Sequence, residues 1–201
     1  MSTDRTWPPF VTGMILAGGR ATRMQGRDKG LITVAGRPLI RHVIDRLQPQ
    51  VDELLINANR SLDDYRRFGF PVFSDARPDF QGPLSGMLAG LRRIDTDGWL
   101  VCVPCDAPQL PRDLVARFCR ALTPDDRLAV ADDGHWLQPA FCMLHASLAD
   151  SLDAWLAEGG RKTGEWLRRQ QAVRVDFSDQ ADAFTNLNSP DDLQHYQENA
   201  C

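Results

Sequence analysis

The residues most suited to chemistry lie early in the chain, in Leu16-Ala17-Gly18-Gly19-Arg20-Ala21-Thr22-Arg23-Met24-Gln25-Gly26-Arg27-Asp28-Lys29. Two adjacent glycines, lacking Cβ atoms, let backbone N–H groups approach phosphate oxygens, and Arg23 and Lys29 add full positive charges. Four cations and one acid lie between Arg20 and Lys29, a local charge of +3 in a protein of formal net charge −4. Such a loop suits a polyphosphate, though the charges alone would also fit a solvated loop. It is not a P-loop, because Lys29 is followed by Gly30 rather than Ser or Thr. Nor is it a dinucleotide fingerprint, which needs G-x-G-x-x-G.

These residues have to be positioned by strands. Val11 to Ala17 is apolar and stops at Gly18-Gly19, the pattern of a buried strand entering a loop. Gly36 turns the chain and Pro38 is placed at the start of a helix whose Leu39, Ile40, Val43, Ile44 and Leu47 share one face. Further strands are expected over Glu53 to Ile56, Val72 to Ser74, Trp99 to Val103, Leu128 to Ala131, Ala140 to Leu144 and Ala172 to Phe177. Between them, Tyr65 to Gly69 reads as the close of a short helix, and helices are expected at Met87 to Ile94, Leu114 to Leu122, Leu148 to Ala157 (capped by Ser147) and Lys162 to Arg169. Gly82 to Gly86 reads as a loop, and Ser189-Pro190-Asp191-Asp192 as a capped helix start.

Alternation of strands and helices predicts an α/β fold: a three-layer, mostly parallel, Rossmann-like sheet with helices on both faces. Ligands of such sheets sit beyond the carboxyl ends of the strands. Gly18-Gly19, Asn57, Asp75 and Cys105-Asp106 stand there, from four segments. Each has a purely structural reading as a turn or cap. Together, behind a cationic loop, they are better explained as a binding site for a polyphosphate ligand than as four unrelated turns.

Leu-Ala-Gly-Gly, then Arg-Met, then Asp-Lys resembles the signature of nucleotidyltransferases with a glycosyltransferase-A-like fold. Asn57-Ala58-Asn59-Arg60, Gly82-Pro83-Leu84-Ser85-Gly86-Met87-Leu88, Cys105-Asp106-Ala107-Pro108 and Asn186-Leu187-Asn188-Ser189-Pro190 narrow the resemblance to the molybdenum cofactor guanylyltransferases, over nearly the whole chain. The spacing departs from many relatives by one residue, Gln25, between Met24 and Gly26, which bears on how far Lys29 reaches. The resemblance implies that GMP passes from GTP to molybdenum-molybdopterin, with Mg²⁺ as cofactor and Lys29, Arg23 and Asp106 as catalytic residues. It implies GTP contacts from Leu16, Ala17, Gly18, Gly19, Lys29, Asn57, Asp75 and Asp106, and metal ligation by Asp106. Gln138, Arg161, Lys162, Asn186 and Asn188 fall on the pterin side. Asp75 or carbonyls of Gly82 to Gly86 are the candidate acceptors for the guanine N–H donors.

Composition sets bounds on these readings. The chain has 201 residues, 43% hydrophobic and 25% charged, as in an ordinary globular domain. A single domain is expected, residues 11–110 serving the nucleotide and 111–201 the acceptor. No apolar run reaches the ~20 residues of a membrane span, and Met1 to Pro9 lacks the apolar stretch of a signal peptide. A cytoplasmic monomer is expected, with molybdoenzymes or cofactor chaperones as candidate protein partners. The acidic balance argues against a nucleic-acid surface. Five cysteines, an odd number, do not suggest a disulfide framework, and Cys102 and Cys105 are expected as core or strand-end residues. Two rival readings stand beside the guanylyltransferase: a cytidylyl or sugar-phosphate nucleotidyltransferase, and a nucleotide-dependent cofactor carrier without chemistry. A thioredoxin-like reductant at Cys102 and Cys105 is more distant.

Overall fold

The structure, a computed structural model, describes residues 8, 10–18, 28–75 and 82–199. In chain order the strands are β1 (Val11–Leu16), β2 (Thr33–Val34), β3 (Arg37–Pro38), β4 (Glu53–Asn57), β5 (Val72–Phe73), β6 (Trp99–Pro104), β7 (Leu128–Asp132), β8 (Leu137–His145) and β9 (Val173–Asp176). The helices are α1 (Leu39–Leu47), α2 (Leu62–Arg66), α3 (Pro83–Leu91), α4 (Leu114–Ala121), α5 (Ala149–Ala157), α6 (Thr163–Arg169) and α7 (Pro190–Asn199). Among the described residues one seven-stranded sheet has the order β5-β4-β1-β6-β8-β7-β9. Its pairings are parallel except at β8, which runs against both β6 and β7.

The period-two alternation of side chains along a strand separates the core into two layers. Val11, Ile15, Ile56, Val101, Val103, Ala129 and Phe141 pack with Ile40, Val43 and Ile44 of α1 and Leu114, Val115 and Phe118 of α4. Met14, Leu55, Leu100, Cys102, Val130 and Cys142 pack on the other face with Leu84 and Met87 of α3, Leu152 and Leu156 of α5, and Trp166 of α6. Burial on both faces explains why β1 and β6 are nearly continuous apolar runs. No helix among the described residues is long and apolar enough to cross a membrane.

Three local expectations shift. Pro38 remains extended because it pairs with Thr33 across the Ala35-Gly36 turn, where both residues have positive φ, so α1 begins at Leu39. Gly82 to Gly86 is mostly helix rather than loop: Pro83 occupies the first position of α3, where its fixed φ is favourable. Ser147 lies in a 3₁₀ turn ahead of α5, with its hydroxyl 2.8 Å from His145 Nδ1. At α7 the expected start holds, as Ser189 Oγ accepts from Asp192 N and Asp192 Oδ2 accepts from Ser189 N.

Candidate nucleotide site

Register brings the strand ends together. Leu16 lies between Asn57 of β4 and Pro104 of β6, and Asn57 is beside Phe73 of β5. Backbone pairing continues past the strands, with Ala17 N donating to Asn57 O at 2.8 Å and Cys105 N to Leu16 O at 3.1 Å. Gly18, Asn59, Asp75 and Asp106 therefore emerge at one edge of the sheet.

At that edge Lys29 opens a 3₁₀ turn over Lys29–Leu31. Its Nζ lies 2.5 Å from Asp106 Oδ2 and 2.6 Å from Asn188 Oδ1. The side chains of Lys29 and Asp106 are 22% and 15% exposed, so the pair is sheltered yet open to a ligand. The segment carrying Asn188 is tied to the same strand end, since Leu187 N donates to Asp106 O at 2.9 Å. Asp192 Oδ2 then accepts from Asn188 N at 2.7 Å, fixing the residue that meets Lys29.

A second cluster forms behind Gly18. Asn57 is buried, and its Nδ2 donates to Asp75 Oδ1 at 2.9 Å. Asn59 grips Asp75 from the other side: its Nδ2 donates to Asp75 Oδ2 at 3.1 Å, and its Oδ1 accepts from Asp75 N at 2.9 Å. A Cβ on Gly18 would lie 2.9 Å from Asn59 Nδ2, and one on Gly86 would overlap Asn57 Oδ1 and reach 2.8 Å from Leu16 Cδ2. Gly86 is thus required by close packing around Asn57, while at Gly18 a methyl would press on the end of the Asn59 side chain. Because Pro83 to Gly86 lie in α3, their carbonyls are committed to the helical ladder, which leaves Asp75 and the exposed Gly82 as the candidate acceptors.

Asn57, Asp75, Lys29, Asp106 and Asn188 thus occupy two adjoining clusters, with Leu16, Ala17 and Gly18 forming the β1 end between them. Gly19 and Arg23 lie outside the described residues. Gln138 sits where β8 starts, opposite Ala131, with its Nε2 donating to Asp133 Oδ2 at 2.6 Å. Burial acts to raise the Asp133 pKa, but the Trp136 and His135 amides and Gln138 outweigh it and hold the net value below normal. Arg161 folds onto Leu156 O and Gly160 O, and Lys162 pairs with Glu165 at 2.8 Å, so both are engaged locally. Asn186 Oδ1 is buried with no hydrogen-bond partner among the described residues.

Cys102 and Cys105 are buried and unbridged. Burial pushes both thiols well above their usual pKa, with Cys142 adding to the effect at Cys102 and Asp106 and Asp28 at Cys105. These are core thiols, the opposite of an activated redox pair. Sequence reading gives no role to Asn59 and Asp28, though both stand in the motifs, and does not single out Tyr65. Asn59 had a usable signal, the two-residue step from Asn57 at a strand end, while Tyr65 meets Asp28 across 37 residues with no local cue.

Asp106 also suits a divalent metal through its hard carboxylate oxygens. Among the described residues no three His, Cys, Asp or Glu side chains cluster so as to hold a metal alone. A metal at Asp106 would thus share its coordination with nucleotide phosphates and water, the usual arrangement for Mg²⁺.

The sheet gathers a glycine, a lysine and strand-end carboxylates at its carboxyl edge, where α/β folds of this kind bind ligands. Solved structures share the fold: molybdopterin-guanine dinucleotide biosynthesis protein A from Archaeoglobus fulgidus aligns with a TM-score of 0.76 at 21% identity, covering 94% of this chain and 98% of that one. A CMP:2-keto-3-deoxy-manno-octonic acid synthetase complexed with CTP aligns with a TM-score of 0.71 at 14% identity, over 95% and 98%.

The MobA-like NTP transferase domain family matches residues 13–174. Molybdenum cofactor guanylyltransferases from Vibrio vulnificus and Cupriavidus metallidurans are 47% and 49% identical, covering 94% and 93% of this chain and 96% and 94% of theirs. That from Vibrio cholerae is 48% identical, with 98% of each chain covered. The chain belongs to the molybdenum cofactor guanylyltransferase family of MobA-like NTP transferases.

Proposed function

We propose that this chain transfers GMP from GTP to the phosphate of molybdenum-molybdopterin, forming the guanine dinucleotide cofactor and releasing pyrophosphate. The observation that carries this reading is the meeting of Lys29, Asp106 and Asn188 at the carboxyl edge of the sheet, supported by family membership. An acceptor phosphate oxygen attacks the α-phosphorus of GTP in line, the new P–O bond forms, and the bond to the β-phosphate oxygen breaks. A phosphate monoester is already anionic at neutral pH, so no protein base is needed.

What the protein contributes is alignment and charge. Lys29 shares its ammonium with the phosphates, and Arg23 adds a second cation. Asp106 holds Mg²⁺, which supplies charge neutralisation on the phosphate oxygens. Asp75, gripped by Asn57 and Asn59, faces the nucleoside, and Leu16, Ala17, Gly18 and Gly19 line its path. Gln138, Arg161, Lys162, Asn186 and Asn188 receive the pterin. Residues 1–201 act as one domain, with the nucleotide half at about 11–110 and the acceptor half at about 111–201. The same reading places a monomer in the cytoplasm, delivering its product to molybdoenzymes or cofactor chaperones.

A thermal-shift panel of GTP, CTP, ATP and UTP, with and without Mg²⁺, tests the base and the metal together. GTP with Mg²⁺ at 100 times its Kd should stabilise the protein by about 2.7 kcal/mol. A larger shift with CTP would favour a cytidylyltransferase. Absence of pyrophosphate release with GTP, Mg²⁺ and molybdenum-molybdopterin would favour a carrier.

A further inference from the structure

We infer that Tyr65 is a positioning residue that sets Lys29 against Asp106 and the nucleotide phosphates by fixing the two residues flanking the lysine. The inference rests on the reading of Lys29 as a phosphate-binding residue. Tyr65 lies on the short helix α2, fully buried, and its hydroxyl donates to Asp28 Oδ1 at 2.5 Å. The same oxygen lies 2.6 Å from the point a Cβ on Gly30 would occupy, so it abuts the residue on the other side of Lys29.

Cys105 Sγ completes this floor, 3.4 Å from the same point, and Cys105 directly precedes Asp106. The chain carrying the lysine and the chain carrying its carboxylate partner are therefore packed on each other beneath Gly30. Leu31 N donates to Asp28 O at 3.0 Å and Ile32 N to Lys29 O at 3.2 Å, so the turn transmits the position of Asp28 to Lys29. Asp28 precedes this 3₁₀ turn, yet its side chain makes no capping bond to it. That carboxylate accepts from Tyr65 instead. Burial, then Cys105 and Asp28, push the phenol pKa far up, which keeps the proton on the hydroxyl as donor.

Tyr65→Phe removes one oxygen and keeps the ring. The test is a double-mutant cycle on GTP affinity in the presence of Mg²⁺, measured by calorimetry on the full chain so that weakly active variants remain readable. Tyr65→Phe should weaken GTP by about 10-fold and Lys29→Ala by about 10- to 100-fold, the range of a charge-assisted hydrogen bond. The double variant should bind no more weakly than Lys29→Ala alone, because the tyrosine acts only through the lysine. Losses that multiply would overturn the inference while leaving Lys29 in place. Unchanged affinity in Lys29→Ala would overturn the reading of the lysine and the inference with it.

Gly30→Ala provides an independent arm. It should weaken GTP in the parent, where the new methyl meets the hydroxyl, and less in Tyr65→Phe, where that oxygen is gone. Equal effects in both backgrounds would count against the clamp. Thermal melts of all variants separate loss of folding from loss of position.

Discussion

Lys29 and Asp106, 77 residues apart, are joined by a 2.5 Å ion pair at the point where β6 leaves the sheet. The lysine stands where a cation is wanted beside a carboxylate. On the proposed function, nucleotide with its metal would draw Lys29 toward phosphate and give Asp106 a new partner. Asp106→Asn should therefore reduce turnover by about 10²- to 10³-fold, because it weakens the hold on the metal that would meet charge developing in the reaction. Lys29 keeps Asn188, and an asparagine carbonyl can still accept from it, so the thermal midpoint should move by only a few degrees. Pyrophosphate release against Mg²⁺ concentration checks this, and ordinary Mg²⁺-dependent turnover by Asp106→Asn would remove the metal assignment.

Asn188 was assigned to the pterin side by resemblance, but its Oδ1 is on Lys29. Asn188→Ala should consequently raise the KM for GTP as well as that for the acceptor, each by about 10-fold, the value of one hydrogen bond to a charged group. Steady-state kinetics with each substrate varied in turn are the measurement. A change confined to the acceptor would mean that the contact with Lys29 does not persist in the working enzyme.

Much of this was legible in the sequence because it depends on local pattern. Apolar runs ending in Gly18, Asn57 and Cys105-Asp106 marked strands and the edge they share. Where expectations shifted, long-range contact decided. Pro38 pairs with Thr33 and so stays out of α1, and α3 starts early because Pro83 suits a first turn while Gly86 lets that turn approach Asn57. The antiparallel β8 carries no signature that distinguishes it from a parallel strand. Tyr65 was missed as a site residue for the same reason, since its partner Asp28 is fixed by the fold, whereas Asn59 carried a local signal in its two-residue step from Asn57.

His145 gives the protein a pH dependence unrelated to catalysis. Burial first, and then Arg127, lower its pKa from the ordinary 6.5. Nδ1 accepts from Ser147 N at 3.2 Å, which requires that nitrogen to be unprotonated, while the ring stands edge-on to Trp99 at 5.1 Å. With the folded pKa below the unfolded one, the stabilising contribution is complete above about pH 6.5 and is lost as pH falls through the folded value. The thermal midpoint should be level above about pH 7 and decline as pH falls below about 6.5. His145→Gln should flatten that decline, and an unchanged slope would refute the assignment.

Gly86 offers a way to separate the packing of the proposed nucleoside pocket from its chemistry. A methyl at this position would overlap Asn57 Oδ1 and crowd Leu16 Cδ2. Asn57 is buried and is bound to Asp75, so it cannot swing aside without releasing the carboxylate. Gly86→Ala should therefore cost about 1–3 kcal/mol of stability, as overpacking does, and raise the Kd for GTP by about 10-fold. Shortening the neighbour in Gly86→Ala with Asn57→Ser makes room for the methyl, so the stability should largely return. The affinity should not return, because serine cannot reproduce the amide N–H that holds Asp75. Denaturant unfolding and GTP titration of the three variants distinguish these effects, and recovery of both properties in the double variant would show that Asn57 fills space without orienting Asp75.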